Sequence, residues 1–182
     1  MSTSQTTDEI ELRPQEGPQE HFLHSNADIV LYGGMAGGGK TWALVFEPLR
    51  HIENKDFGFV TFRRTSTQIR NEGGLWDESR KMYSLFGANP VETMLEWRFP
   101  SGCKGKFTHL EHEKNVYDHQ GAQIPLIMFD ELTHFTKFQF FYMLSRNRST
   151  CGVRPYVRAT CNPDATSWVR QFIDWYIGPN GS

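Results

Sequence analysis

Residues 34–41 read Gly-Met-Ala-Gly-Gly-Gly-Lys-Thr and fit the pattern G-x-x-x-x-G-K-[ST]. They stand directly behind the apolar run Ile29, Val30, Leu31 and Tyr32. A loop that wraps a phosphate chain must turn its backbone N–H groups inward, through dihedrals that a Cβ obstructs. Gly34, Gly37, Gly38 and Gly39 supply that freedom. Lys40 has the reach and charge for the β- and γ-phosphates, and the Thr41 hydroxyl suits a magnesium ion. A helix over 42–51 would turn its positive N-terminal end to the same phosphates. These residues point to a nucleoside triphosphate site, against the plainer alternative of a glycine-rich turn between a strand and a helix.

Asp130 and Glu131 form a second chemical pair, directly after the apolar run Leu126, Ile127, Met128 and Phe129. Such a run reads as a fully buried central strand. In a phosphate-loop fold, an acidic residue at the C-terminal end of that strand falls beside the loop. There Asp130 can hold magnesium directly or through water, and Glu131 can orient and polarise an attacking water. The second carboxylate favours hydrolysis over transfer to another substrate, because a kinase must exclude water from this position. Thr160, Cys161, Asn162 and Pro163 end another strand signal. Thr160 and Asn162 there could hydrogen-bond the γ-phosphate or the water and change partners after hydrolysis, or simply form an Asn-Pro turn.

Positioning these groups requires strands that end at one edge of a sheet. Strands are expected at 58–62 and 156–160 besides the two already named, with a strand pair at 94–99 and 106–110 around a longer turn. Helical spacing covers 75–86, a helical turn fits 115–119, Thr136 can cap a helix over 137–145, and Ser167 can open a last helix to Tyr176. This alternation of strand and helix predicts an α/β fold with a mostly parallel central sheet and helices on both faces. The chain has 182 residues and is 38% hydrophobic, enough for one substantial core over 18–182. Residues 1–17 are polar and read as a flexible arm.

Nineteen Lys and Arg against 21 Asp and Glu give a net charge of -2, so any nucleic-acid surface must be local rather than global. The three cysteines show no C-x-x-C spacing and suit free thiols in a reducing compartment. No stretch has the length of a membrane span and no signal layout opens the chain, so a soluble intracellular protein without a membrane partner is expected.

From about Gln19 onward the chain resembles the N-terminal ATPase domain of the tailed-bacteriophage terminase large subunit, the DNA-packaging motor. The matching segments are Pro18-Gln19-Glu20-His21-Phe22-Leu23, residues 31–41, Phe62-Arg63-Arg64-Thr65, Leu75-Trp76, residues 109–113, Gln120-Gly121, residues 127–135, 145–148 and 159–163. The resemblance implies a P-loop NTPase of the ASCE, RecA-like type that uses ATP and magnesium. It makes Gln19 an adenine contact, Lys40 and Thr41 the phosphate-loop pair, and Asp130 and Glu131 the metal-binding and catalytic carboxylates. Thr160 and Asn162 fall in the motif that couples hydrolysis to movement. It further implies double-stranded DNA bound without sequence preference, the phage portal and small terminase subunit as partners, a homo-oligomeric ring when assembled, and action in the host-cell cytoplasm. A RecA-like helicase or recombination ATPase shares the nucleotide motifs, and a nucleotide-dependent regulatory switch is the third reading.

The chain departs from the family in two respects. Many large terminases carry an arginine inside the phosphate loop, where this sequence has Met35 and Ala36. An arginine strongly stabilises charge on the γ-phosphate oxygens, so another is expected to serve: Arg146 or Arg148, or else Arg63 or Arg64, from the same subunit or a neighbour. The RNase H-like nuclease domain of a complete large terminase has no counterpart in this sequence, so no nuclease activity is expected from it. Elsewhere, His109, His112, His119 and Cys103 match no standard metal-ligand spacing. Trp76, Trp97, Phe107 and the aromatic cluster at 138–142 read as core before they read as base-stacking groups. Arg154, Arg158, Lys104 and Lys106 read either as local positive surface or as a solvated face.

Overall fold

The computed structural model of the chain describes residues 12–34, 37, 39–162, 164–174 and 176. Helix α1 (Pro18–His24) leads into β1 (Ile29–Gly33), and α2 (Lys40–Phe46) follows the glycine loop. Then come β2 (Gly58–Arg63), α3 (Ser66–Arg70), α4 (Leu75–Tyr83), β3 (Asn89–Val91), β4 (Glu96–Arg98), β5 (Lys104–His109), β6 (Leu126–Phe129), α5 (Lys137–Leu144), β7 (Tyr156–Cys161) and α6 (Trp168–Ile173). The strands form one 7-stranded sheet in the order β1-β7-β6-β2-β5-β4-β3. β1, β7, β6, β2 and β5 run parallel, and β4 and β3 extend the edge antiparallel.

Alternation along the central strands divides the core between two faces. Leu126 and Met128 of β6 and Tyr156 of β7 pack with Leu44 of α2 and Trp76 of α4. Ile127 and Phe129, with Val157 and Ala159, pack instead with Phe140 and Met143 of α5 and Val169 of α6. Period-two side chains with helices on both sides explain why β6 and β7 are buried along their whole length. Trp76, Trp97 and Phe107 are core residues, whereas Phe138 and Phe141 on α5 are exposed. No helix among the described residues is long and apolar enough to cross a membrane.

Several element ends differ from the sequence expectation for identifiable reasons. The helix expected over 42–51 is α-helical only to Phe46 and continues as a 3-10 turn at Glu47–His51. Pro48 has no N–H to give the preceding turn. The helix expected to Phe86 becomes a 3-10 turn at Ser84–Phe86 and stops at Gly87, which is left-handed with φ 69. Strand β3, which contains Pro90, is not among the expected strands; it lies at the sheet edge, where a missing donor is tolerated. The caps at Thr136 and Ser167 form as expected. Of the expected arm, residues 1–11 lie outside the described residues, while Leu12 packs against the core and Gln15 N donates to Gln19 Oε1.

Gly105 of β5 lies under the ring of Phe59, and a Cβ there would fall 2.0 Å from Phe59 Cζ. That ring is itself held between Tyr83 and Phe99. Gly105→Ala is therefore expected to destabilise the fold by about 1–3 kcal/mol, read as a lower urea midpoint at unchanged slope. An unchanged midpoint would mean the ring is free to move aside.

Arg158 is 2% exposed and Glu47 fully buried, against the expectation of a surface arginine. Arg158 occupies a strand covered on both faces, so it cannot reach solvent and must be satisfied inside. Its guanidinium donates to the carbonyls of Ala27 (3.0 Å) and Ser25 (2.7 Å), and Nε lies 3.5 Å from Glu47 Oε1. Arg50 Nη2 meets the other carboxylate oxygen at 3.1 Å. Burial pushes the Glu47 carboxyl up to about 7 against the pull of Arg50 and Arg158. Because its folded value lies above the ordinary 4.5, the native state binds more protons between the two. Its stabilising share is present below that window and is lost as pH rises through 7. Relative to Glu47→Gln, the wild type should lose about 2–3 kcal/mol between pH 4.5 and pH 7.5. His51, pushed down by burial and by Arg50, adds the opposite slope to both proteins and cancels. Parallel stability–pH curves would refute the assignment.

Candidate active site

Strand register brings the two chemical pairs together. β7, the last strand in sequence, lies between β1 and β6, with Tyr32 level with Thr160 and Phe129 level with Ala159. On the other side of β6, Phe62 is level with Phe129. Arg63, Asp130 and Thr160 thus come together where the parallel strands end, the edge at which open α/β sheets bind ligands. They also continue the alternation that sends Phe59, Met128 and Tyr156 to the α2 face, so all three point to the side on which the glycine loop begins its helix.

At that edge the side chains form one connected network. Asp130 is 5% exposed; its Oδ2 accepts from Arg63 Nη1 at 2.8 Å and its Oδ1 from Thr160 Oγ1 at 2.7 Å. Burial pushes the Asp130 carboxyl above its ordinary range, while Arg63 and Thr160 pull it back down. Thr160 also accepts from Glu131 N at 3.0 Å, so a single hydroxyl fixes both acidic residues. Glu131 is a non-glycine residue in the left-handed region, with φ 62 and ψ 65, a conformation that persists only where its surroundings enforce it. Its carboxylate accepts from Asn162 N and from Asn162 Nδ2, each at 3.1 Å. Asn162 Oδ1 in turn accepts from Lys40 Nζ at 3.1 Å, and Lys40 also donates to Gly34 O at 2.8 Å.

Lys40, Asp130, Glu131, Thr160 and Asn162 are therefore brought together as expected from sequence. Thr41 follows Lys40 in the first turn of α2 and is half-buried. Gly37 and Gly39 have φ 86 and 66, values that favour glycine. Gly38, like Met35 and Ala36, lies outside the described residues. Gln19 is buried against the loop; its Nε2 donates to Gly39 O at 3.0 Å, and a Cβ on Gly39 would come within 2.5 Å of that nitrogen. With Gln15 N on its Oε1, the Gln19 amide is engaged by the chain itself at both ends.

The candidate arginines lie in different places. Arg146 O accepts from Ile124 N, just before β6 begins, and its guanidinium lies over Tyr142. Arg148 lines a cavity of about 410 Å³ with Gly58, Lys104 and Pro125, where strands start rather than end. Neither Arg146 nor Arg148 stands at this subunit's own Asp130–Glu131 edge. Arg64 also points elsewhere, donating to Leu110 O and Gln139 Oε1. Among the described residues, Arg63 is the arginine paired with Asp130 at the site. The sequence offers it only as one alternative, although its place at a strand end, like that of Asp130, is the available signal. A larger cavity of about 600 Å³, lined by His51, Arg154 and Arg158, also opens at the strand-start edge, away from this network. Among the described residues no group of three or more His, Cys, Asp and Glu side chains is placed to hold a metal ion by itself.

Residues 31–180 match the family model of the terminase large subunit, T4likevirus-type, N-terminal. The chain belongs to that family. The terminase domain is also similar in fold to solved phage proteins. The large terminase of bacteriophage HK97 superposes with a TM-score of 0.69 at 13% identity, over 94% of this chain and 38% of that one. The large terminase of a thermophilic bacteriophage gives 0.68 at 15% identity, over 93% and 44%. The N-terminal domain of the DNA packaging ATPase of bacteriophage phi29 gives 0.61 at 12% identity, over 87% and 84%. The terminase domain thus spans less than half the length of the first two of these proteins. No curated protein sequence matches it. Its fold is a P-loop NTPase fold of α/β class, with a mostly parallel sheet.

Proposed function

We propose that the terminase domain is a magnesium-dependent ATP hydrolase whose cycle moves double-stranded viral DNA into a procapsid. The observation that carries this reading is the convergence of Lys40, Asp130, Glu131, Thr160 and Asn162 at one strand-end edge beside the glycine loop. Family membership supports it, as do structures of the thermophilic bacteriophage's large terminase in complex with ADP and with ATP-gamma-S. Lys40 holds the phosphates, Gln19 beside the glycine loop contacts the adenine, and Glu131 directs water in line with the leaving group.

The donor set suits magnesium. Asp130 offers a buried carboxylate and Thr41 a hydroxyl, both hard oxygen ligands, and the guanidinium on Asp130 Oδ2 is a cation already seated beside that carboxylate. When bound, magnesium would neutralise charge on the β- and γ-oxygens. Arg63 must leave Asp130 Oδ2 before that oxygen can serve, and Arg63 Nε, buried without a hydrogen-bond partner, has capacity for a phosphate oxygen. Arg63 in the same subunit is thus the proposed substitute for the loop arginine, with Arg146 or Arg148 reaching the site only if a neighbour donates it. A ring of such subunits, with the portal and the small terminase subunit, would hold DNA by its phosphates while one subunit resets, in the host-cell cytoplasm.

A RecA-like helicase would share this site but separate strands. Packaging with portal, procapsid and a supplied nuclease domain is expected to proceed with this chain as motor. Failure there alongside duplex unwinding would reverse the assignment.

A further inference from the structure

We infer that the surface where β5 and β2 start, at the sheet edge opposite the nucleotide network, is where this domain holds duplex DNA by its phosphates. This rests on the DNA-moving reading above and names the surface that would carry it. Alternation in β5 builds the surface. Gly105 lies under Phe59, and Phe107 packs edge-on against Trp76 of α4. Lys104 and Lys106, which alternate with them, point to the other face and are exposed. Among the described residues, the core cluster on that face contains no residue of β3, β4 or β5, so no apolar layer covers the two lysines. They stand about 6.6 Å apart along the strand.

Positive charge gathers here without being neutralised. A cavity of about 410 Å³ at the strand starts is lined by Lys55, Lys104 and Arg148, with Gln123 and Thr150 as neutral donors and Asp56 as the carboxylate beside them. Elsewhere on the surface Arg80, Lys81, Arg98 and Arg154 each meet a carboxylate at 3.0 Å or closer. Lys55, Lys104, Lys106 and Arg148 are exposed and have no ion-pair partner among the described residues. Glu96 lies opposite Lys106 in the β4–β5 register, but Arg98 takes it at 2.7 Å. Cations left unpaired beside one another repel, and a bound polyanion removes that cost while its own counterions are released.

The chemistry of the surface selects a nucleic-acid backbone over a protein. Lysine, arginine, glutamine and threonine side chains are groups that hold phosphate oxygens in duplex complexes, and such interfaces are more polar and more positive than those between proteins. A protein partner is anchored instead by buried aromatic and apolar groups. Among the described residues, none of the large apolar side chains exposed on this domain lines the cavity. Contacts of this kind go to phosphates rather than base edges, so they hold any sequence equally.

Lys104→Gln combined with Lys106→Gln should weaken binding of a random-sequence DNA duplex about 100-fold at about 50 mM salt, read by fluorescence anisotropy, and should flatten the slope of log affinity against log salt by about 2. Basal phosphate release should stay at the wild-type rate, because these lysines lie at the edge opposite Asp130 and Glu131. Arg148→Gln, on a separate segment, should flatten the slope by about 1. Lys81→Gln, which removes a cation already paired with Glu78, should leave it unchanged. Lys104→Arg combined with Lys106→Arg should keep the wild-type slope, which separates lost charge from lost fold. A double glutamine variant with the wild-type slope would overturn the proposal, leave the motor reading intact and assign the four cations to an acidic protein partner or to solvent. A wild type that binds no duplex at low salt would overturn it together with the DNA-moving function. Duplex binding with the expected change of slope, but without ATP hydrolysis, would remove the motor reading and leave this surface standing.

Discussion

Glu131→Gln is expected to lower phosphate release about 1000-fold while magnesium-ATP remains bound. Glutamine preserves the length and most of the shape of the side chain, and the Glu131 N–H bond to Thr160 is a backbone contact that the change does not touch. What is lost, on the proposed function, is the negative charge that would polarise water, and with it an interaction made only in the transition state. Binding should therefore survive, because Lys40 and the glycine loop are unaltered. Single-turnover phosphate release beside equilibrium binding of ATP-gamma-S separates the two. A rate within tenfold of wild type would move the attacking-water role to another residue.

Arg63→Ala has the second-largest expected effect, and it acts on both stability and rate. In the resting protein it removes the cation paired with Asp130, a carboxylate only 5% exposed. Deleting one partner of such a pair typically costs about 3 kcal/mol, because the remaining charge stays buried. In the catalytic cycle it removes the arginine that this subunit places at the Asp130 edge, and phosphate release should fall about 100- to 1000-fold. Arg63→Lys distinguishes the roles: a point charge should restore most of the stability but little of the rate, because it lacks the planar fork that spans two oxygens. Equal recovery of both by lysine would reduce Arg63 to a structural ion pair and assign the transition-state arginine to a neighbouring subunit.

The parts of this site that are legible in sequence are those whose geometry is local. The spacing from Gly34 to Thr41 fixes a loop, and Asp130 behind four buried apolar residues fixes a strand end, whatever the rest of the chain does. The insertion of β7 between β1 and β6 is not legible, since it depends on pairing between residues more than 100 positions apart; yet it is what puts Thr160 between the two acidic residues and Asn162 beside Lys40. Arg146 and Arg148 lie away from this subunit's own Asp130 and Glu131 because nearness in sequence is not nearness in space. A helix following a parallel strand must carry the chain back to the edge where strands start, and α5 does so. The same topology explains Arg158: in a strand covered on both faces, alternation offers no solvated side, and the charge is answered by Glu47.

The central claim, that this fold hydrolyses ATP, is tested most directly by phosphate release from magnesium-ATP by the wild-type chain with Glu131→Ala beside it. Saturable release by the wild type, abolished by chelating magnesium and absent in the variant, is the expected result. Equal, near-zero release from both proteins, with nucleotide still bound, would contradict it and leave a nucleotide-dependent switch in place of a motor.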